Sequence, residues 1–480
     1  MFPPVQDLYR IAPEIILCVF GMLIMLIDPF VPAGRKRSMG WLALAGTLAA
    51  LASLRYMFMN PGSAYSGLLR VDAFSLFVHG IVIAVAALAV LGSFDYLDHE
   101  NIQRGEYYAL VLFATAGMGI LAGANELVTA FVGLEISSIS TYILAGFRRS
   151  ALKSNESSLK YFLLGSFATA FFLYGVALTY GATRSTHFEA INQAIASHGS
   201  GALLIIGLGL IFVGLGFKVV AAPFQIYTPD VYEGAPTPVT AVLACGPKAA
   251  AFAVMVRIFY SAFGNANHIW FWAIWVSAVL TMCIGNFAAI VQSNVKRLLA
   301  YSSIAHAGYI LVAFVASSEI GVAAVLFYLA AYAAMTLGAF LIVAQVGSAG
   351  ERRLDISDYA GLGTSQPWVA ACFSLFLFSL LGLPATAGFL GKFYAFSAAV
   401  DSRLVWLVVI AAINSVIGAY YYLKIIVAMY FWEPNKDWAP SPMRAPMFIT
   451  LLLTAAGTIY LGILPDRVMQ WAIASAQSLH

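Results

Sequence analysis

Six ionisable side chains stand inside long apolar runs of this 480-residue chain. They are Glu135 in "FVGLEISSIS", Lys218 in "GLGFKVVAAP", Lys248 in "CGPKAAAF", His306 in "YSSIAHAGY", Lys392 in "GFLGKFYAF" and Lys424 after "AYYYL". A lysine or carboxylate at the centre of a membrane helix costs about 2.5–3.5 kcal/mol on insertion scales. Such groups therefore face a bundle interior or a wet cavity and find partners there. The residue types suit proton transfer. Burial disfavours the charged form of a lysine and a nearby carboxylate favours it, so its proton can be held or released by small changes around it. An imidazole with an unperturbed pKa near 6.5 takes and gives a proton with equal ease. A swing of about two pKa units, at about 1.36 kcal/mol each, matches the roughly 2.3 kcal/mol needed to move one charge against 100 mV.

Each residue also has a plainer reading. Lys424 can snorkel toward an interface, and His306 can be a hydrogen-bonded structural histidine. Lys248 and Glu135 lie too near mid-span for snorkelling. Arg257 and Arg55 fall near span ends and read as interfacial anchors, and Glu14, Asp28 and Asp72 read as solvated or capping groups.

The elements that must position these groups are membrane helices. Hydrophobic residues make up 61% of the chain and charged residues 10%, against about 25% charged in a soluble domain. Apolar runs of membrane-crossing length fall at 11–30, 39–59, 73–94, 107–123, 127–147, 158–181, 202–227, 236–260, 269–291, 298–316, 319–345, 367–399, 404–432 and 446–464. The expected fold is all-α and polytopic, with about fourteen spans and no soluble domain between them. The first span, followed by "RKR", reads as retained rather than as a signal peptide. Net charge is only +3, which gives no footprint for nucleic acid. The four cysteines stand singly, so neither a disulfide framework nor an iron–sulfur site is indicated. No nucleotide motif and no metal cluster is legible, so any electron chemistry belongs to other chains.

Loops after odd-numbered spans carry Arg35, Lys36, Arg37, Arg104, Arg148, Arg149, Lys153, Lys296, Arg297, Arg352, Arg353, Lys436 and Arg444. The opposite side holds mainly Arg10, Arg70, Arg184, Arg403 and Arg467. Positive loops stay inside, so the odd loops are expected in the cytoplasm and both termini on the periplasmic side of a bacterial inner membrane.

Two spans carry breakers. The seventh runs through Pro223, and the twelfth contains Gly382, Pro384, Gly388 and Gly391. A proline removes a helical hydrogen bond, which lipid tolerates only where protein or water satisfies the freed groups. Glu135 and His306 are 171 residues apart, Lys218 and Lys392 174, and Lys248 and Lys424 176, each pair five spans apart. An odd shift reverses direction across the membrane, so spans 4–8 and 9–13 read as two inverted five-helix repeats. The implied divisions are 1–106, 107–260, 261–432 and a C-terminal helix in 433–480.

The stretches "FVGLEISSISTYIL", "GLGFKVVAAPFQIYTPDVYEGAPTPVTA", "VKRLLAYSSIAHAGY" and "GLPATAGFLGKFYAF" resemble the antiporter-like subunits of proton-pumping NADH:quinone oxidoreductase, respiratory complex I. "PDVYEGAPTPV" and the length are similar to one branch of that family in particular. The resemblance implies fourteen helices with the seventh and twelfth broken. It also implies a proton channel through Glu135, Lys218, Lys248 and Lys392, with His306 on the linking path and Lys424 as a secondary candidate. By the same resemblance the chain holds no cofactor, and NADH, FMN, iron–sulfur clusters and quinone belong to partner subunits. Expected partners are other membrane subunits, including neighbouring antiporter-like ones, and the lipid bilayer. Three alternatives stand beside it: a subunit of a multi-subunit cation/proton antiporter, a free-standing transporter for an anionic solute, and a structural scaffold.

Overall fold

The computed structural model describes residues 4–347, 350–434 and 443–479; Lys436, counted above among the basic loop residues, lies outside them. Thirteen helices among the described residues are long and apolar enough to cross a membrane. The remaining expected span consists of two 15-residue helices, Pro367–Leu381 and Ala387–Asp401. At 1.5 Å per residue each covers about 22 Å, short of a hydrocarbon core of about 30 Å. Together they complete the fourteen. Outside the spans lie a two-stranded antiparallel hairpin, Gly62–Ala64 with Leu69–Val71, and the short helices Phe188–His198 and Asp466–Gln477.

Polar residues set several boundaries. Asp72 accepts from Ser75 N at 2.8 Å and opens the third span, Ala73–His99, with a reciprocal capping box. Glu126 caps the fifth, Leu127–Ala145, through Thr129 N at 2.7 Å, and Asn294 caps the tenth, Val295–Val315, through Arg297 N. Each side chain satisfies a backbone donor that has no partner within its own helix. The eighth span (Thr237–Arg257) and the tenth are buried over 94% of their apolar window, against 33% for the first and second. Lys248 and His306 therefore sit on the central helices, and the lipid-facing helices form the rim.

The two breaks are built differently. The seventh span is helical over Ala202–Val219 and stops at Val220, whose φ of 65° is left-handed. That conformation is costly for a β-branched residue. The freed backbone of Ala222 is taken up by the ninth span (Asn267–Ile290): Thr281 Oγ1 accepts from Ala222 N at 2.7 Å, and Ser277 Oγ donates to Ala222 O at 2.6 Å. The twelfth span stops at Gly382, where a φ of 97° favours glycine. It resumes at Ala387 after Pro384, and Ser379 Oγ accepts from Gly388 N at 3.0 Å. Pro223 and Pro384 both fall inside these breaks.

Helix order supports the inverted repeat, but the charges are not equivalent within it. Pro223 and Pro384 are 161 residues apart and Lys218 and Lys392 are 174. Lys218 consequently precedes its break and Lys392 follows its own. Arg257 also differs from expectation. It is buried at the end of the eighth span, donating to Asp72 Oδ1 at 2.6 Å and to Ala122 O at 2.9 Å. An arginine snorkels only when its own helix end faces lipid, and this end is enclosed by the third and fourth spans.

The substitution pair Ser277→Ala and Thr281→Val strips the first break of both hydroxyl partners. Each backbone group left unpaired is expected to destabilise by about 1–3 kcal/mol, read as a lower thermal midpoint of the solubilised assembly.

Candidate functional site

Lys218 lies in the last turn of the first half of the seventh span, where the helix dipole presents its negative end. It is 8% exposed. Its Nζ donates to Tyr142 Oη at 3.2 Å and stands 5.0 Å from the Tyr142 ring centroid and 5.4 Å from that of Tyr161. Aromatic faces hold a cation without neutralising it. Tyr142 also lines an open cleft of about 410 Å³ bordered by Phe147, Arg149, Ser158 and Phe162. Glu135, about two helix turns before Tyr142 on the fifth span, makes no ion pair with Lys218 among the described residues. Its Oε1 is buried and has no hydrogen-bond partner.

Lys248, 1% exposed, donates to Ser303 O at 2.8 Å and to Ser303 Oγ, with its Nζ 5.0 Å from the Tyr332 ring centroid. Ser303 is adjacent on the tenth span to Ser302, which shares a short hydrogen bond with Tyr422 Oη. Tyr422 Oη in turn meets His306 Nε2 at 3.1 Å, and His306 Nδ1 meets Tyr328 Oη at 2.9 Å. Both imidazole nitrogens thus face hydroxyls, which donate or accept equally well. Three and four residues separate the serines from His306, so all three share one side of the helix.

Lys392 bridges the second break. Its Nζ donates to Leu381 O at 2.8 Å, a carbonyl at the end of the first half-helix, and to Ser415 Oγ at 2.8 Å on the thirteenth span. The ammonium lies 4.8 Å from the Tyr309 ring centroid. Tyr309 Oη accepts from Asn286 Nδ2 at 3.1 Å, and Tyr421 donates to Asn286 Oδ1 at 3.0 Å. Both Lys218 and Lys392 therefore sit at the negative end of a half-helix, reached from opposite sides of the gap.

The structure brings Lys248, His306 and Lys392 into one buried polar region and holds Lys218 separately, against Tyr142 and Tyr161. Lys424 does not join. It is half-buried and has no hydrogen bond or ion pair among the described residues. The tyrosines 142, 328 and 422, serines 302 and 303, and Asn286 were missed in the sequence. The serine pair before His306 and the run "YYY" at 420–422 were the available signals.

A second charged cluster joins the repeats at the loop side. Lys296, wholly buried, donates to Ala235 O at 2.7 Å and to Glu351 Oε2 at 3.0 Å. Glu351 Oε1 accepts from Thr237 N at 2.9 Å, from Thr237 Oγ1 and from Tyr96 Oη at 2.9 Å. Burial pushes the Glu351 carboxyl up, but Lys296 and the hydroxyl donors outweigh it and hold the group below the ordinary glutamate range. A carboxyl depressed in the folded state stabilises the fold above its ordinary value and loses that contribution as pH falls through the depressed one. Glu351→Gln leaves Lys296 without a counter-charge and is expected to destabilise by about 3 kcal/mol. It should also flatten the acid end of a thermal-midpoint-against-pH curve.

Residues 124–418 match the family described as NADH:quinone oxidoreductase/Mrp antiporter, TM. The chain is 50% identical to NADH-quinone oxidoreductase subunit N 1 of Solibacter usitatus, covering 99% of this chain and 98% of that relative. It is 45% identical to NADH-quinone oxidoreductase subunit N of Trichlorobacter lovleyi over 97% and 96%. Among solved structures, a chain of respiratory complex I from Thermus thermophilus with bound aureothin superposes with a TM-score of 0.81 at 36% identity, covering 95% of this chain and 98% of that one. A chain of the Mrp complex from a Dietzia species superposes with a TM-score of 0.87 at 21% identity over 98% and 97%, a likeness of fold.

Proposed function

Since the chain belongs to the family of NADH:quinone oxidoreductase and Mrp antiporter membrane subunits, within its NADH-quinone oxidoreductase subunit N branch, we infer that Glu135, Lys218, Lys248, His306 and Lys392 form its proton route. The chain is an antiporter-like, proton-translocating membrane subunit of a respiratory enzyme complex, set among that complex's other membrane subunits. Oxidation of NADH and reduction of quinone, with FMN and iron–sulfur clusters, belong in this reading to partner subunits. The orientation with both termini in the periplasm rests on the loop lysines and arginines. The repeats 107–260 and 261–432 are read as the two half-channels, flanked by the three-helix segment 1–106 and the final helix in 433–480.

The observation that carries the assignment is the buried series Lys248–Ser303, Ser302–Tyr422–His306–Tyr328 and Lys392–Ser415. Every link in it is a group that can hold or pass a proton. In the proposed cycle Glu135 approaches Lys218 and holds its proton by Coulomb attraction. When a charge on a neighbouring subunit draws Glu135 away, Lys218 keeps only neutral partners in Tyr142 and Tyr161 and releases the proton inward toward Lys248. Ser302, Tyr422 and His306 pass it on, and Lys392 delivers it to the other half-channel. Glu135 without an ion pair and Lys218 on aromatic faces correspond to the released arrangement.

The test is NADH-driven proton pumping in membrane vesicles with Lys218→Ala, with a native gel to show that the complex assembles. Loss of coupled turnover and pumping in an intact complex is expected; unchanged turnover and unchanged protons per NADH would remove Lys218 from the route. Tyr422→Phe deletes the hydroxyl between Ser302 and His306 with little change of volume. It is expected to slow turnover by about 10²-fold, the lower range for loss of a proton-transfer group, without loss of assembled complex.

A further inference from the structure

A second buried acid–base pair lies outside the five-helix repeats. Glu14, in the first turn of the span Ala12–Ile27, places Oε1 2.6 Å from His79 Nε2 on the third span. The other ring nitrogen, Nδ1, is 2.6 Å from Ser75 O. A carbonyl can only accept, so Nδ1 carries a hydrogen. Nε2 and a carboxyl oxygen then stand in contact with no other hydrogen available to them. The contact needs one shared proton, either as imidazolium on carboxylate or as carboxylic acid on neutral imidazole. The pair therefore binds one proton more than a neutral histidine beside a carboxylate, and the proton belongs to the pair rather than to either residue.

The surroundings leave that proton in charge of the local balance. Asp72 is matched by Arg257 at 2.6 Å, with Arg70 at 3.6 Å. The other titratable groups facing Glu14 are Cys18 on its own helix and Tyr65 in the hairpin loop; Tyr65 N donates to Asp7, itself paired with Arg10. Glu14 Oε2 is buried without a hydrogen-bond partner. It offers acceptor capacity that a fixed structural contact would have filled. The fourth span (Gly105–Gly123) is bare at this point. A Cβ on Gly119 would fall 2.4 Å from Glu14 Oε1 and 2.9 Å from His79 Nε2.

Counting crossings puts this cluster at the ends of spans 1, 3, 4 and 8 that share one face, opposite the face of Lys296 and Glu351. Arg257 closes the same helix that carries Lys248, nine residues earlier, about 13.5 Å along the axis. We propose that Glu14 and His79 form a second proton-binding site, which takes up and releases one proton during turnover at that face. On release the shared hydrogen leaves to water, Nε2 is left with a lone pair facing the Glu14 carboxylate, and the contact opens; uptake reverses each change. The site stands independently of the lysine route.

Infrared difference spectra of the assembled complex in membranes, NADH-reduced minus oxidised, test it directly. The variants are Glu14→Gln, whose amide can still donate to Nε2, and His79→Gln, which keeps a polar side chain should the first fail to assemble. The wild type is expected to show a coupled carboxyl and imidazole band pair that shifts in D₂O and is lost in each variant that assembles. Absence of the pair from the wild type, or its persistence in either variant, overturns the proposal.

Discussion

A membrane interior supplies no water to charged or unpaired polar groups, and this absence governs how the protein is built. Interruptions of a helix and buried charges are costly unless another part of the chain answers them. Ser277 and Thr281 of the ninth span meet the open backbone of the seventh. Lys392 closes the carbonyl end of its own broken span. Breaks and charges are thus two halves of one arrangement: a half-helix ends in carbonyls with partial negative charge, and an ammonium is the group that such an end stabilises.

The same constraint explains the tyrosines. An ammonium surrounded by carboxylates would be fixed in its charged form, and one surrounded by hydrocarbon would be neutral. Tyr142, Tyr161, Tyr309 and Tyr332 present π-faces to the three lysines, and hydroxyls supply hydrogen bonds without full charge. That intermediate environment tolerates both protonation states. The strong ion pairs lie elsewhere, at the loop side around Glu351 and at the opposite face around Asp72 and Arg257, where they hold helices together.

Much of this was legible in the residues. Spans longer than a bilayer, with proline and glycine inside, mark the two breaks, and mid-span Lys218, Lys248 and Lys392 mark the buried site. The partners were less visible because contact between helices depends on rotation about each axis, which a mostly apolar span does not reveal. Tyr142 looks like any interfacial tyrosine until Lys218 is brought against it. Arg257 looked like an anchor because its position along the span is visible in sequence and its neighbours are not. Equal spacing of the charges also suggested an equivalence that the breaks, 161 residues apart, do not share.

That inequivalence gives the two halves different mechanics. A bend at Val220–Pro223 would move the chain beyond Lys218 and leave the lysine on its own rod, beside Tyr142 and Tyr161. A bend between Gly382 and Thr386 would carry Lys392 away from Leu381 O. Lys218 is carried on the half-helix before its break and Lys392 on the half-helix after its own, so a bend at either break would shift the two lysines unequally rather than as mirror images.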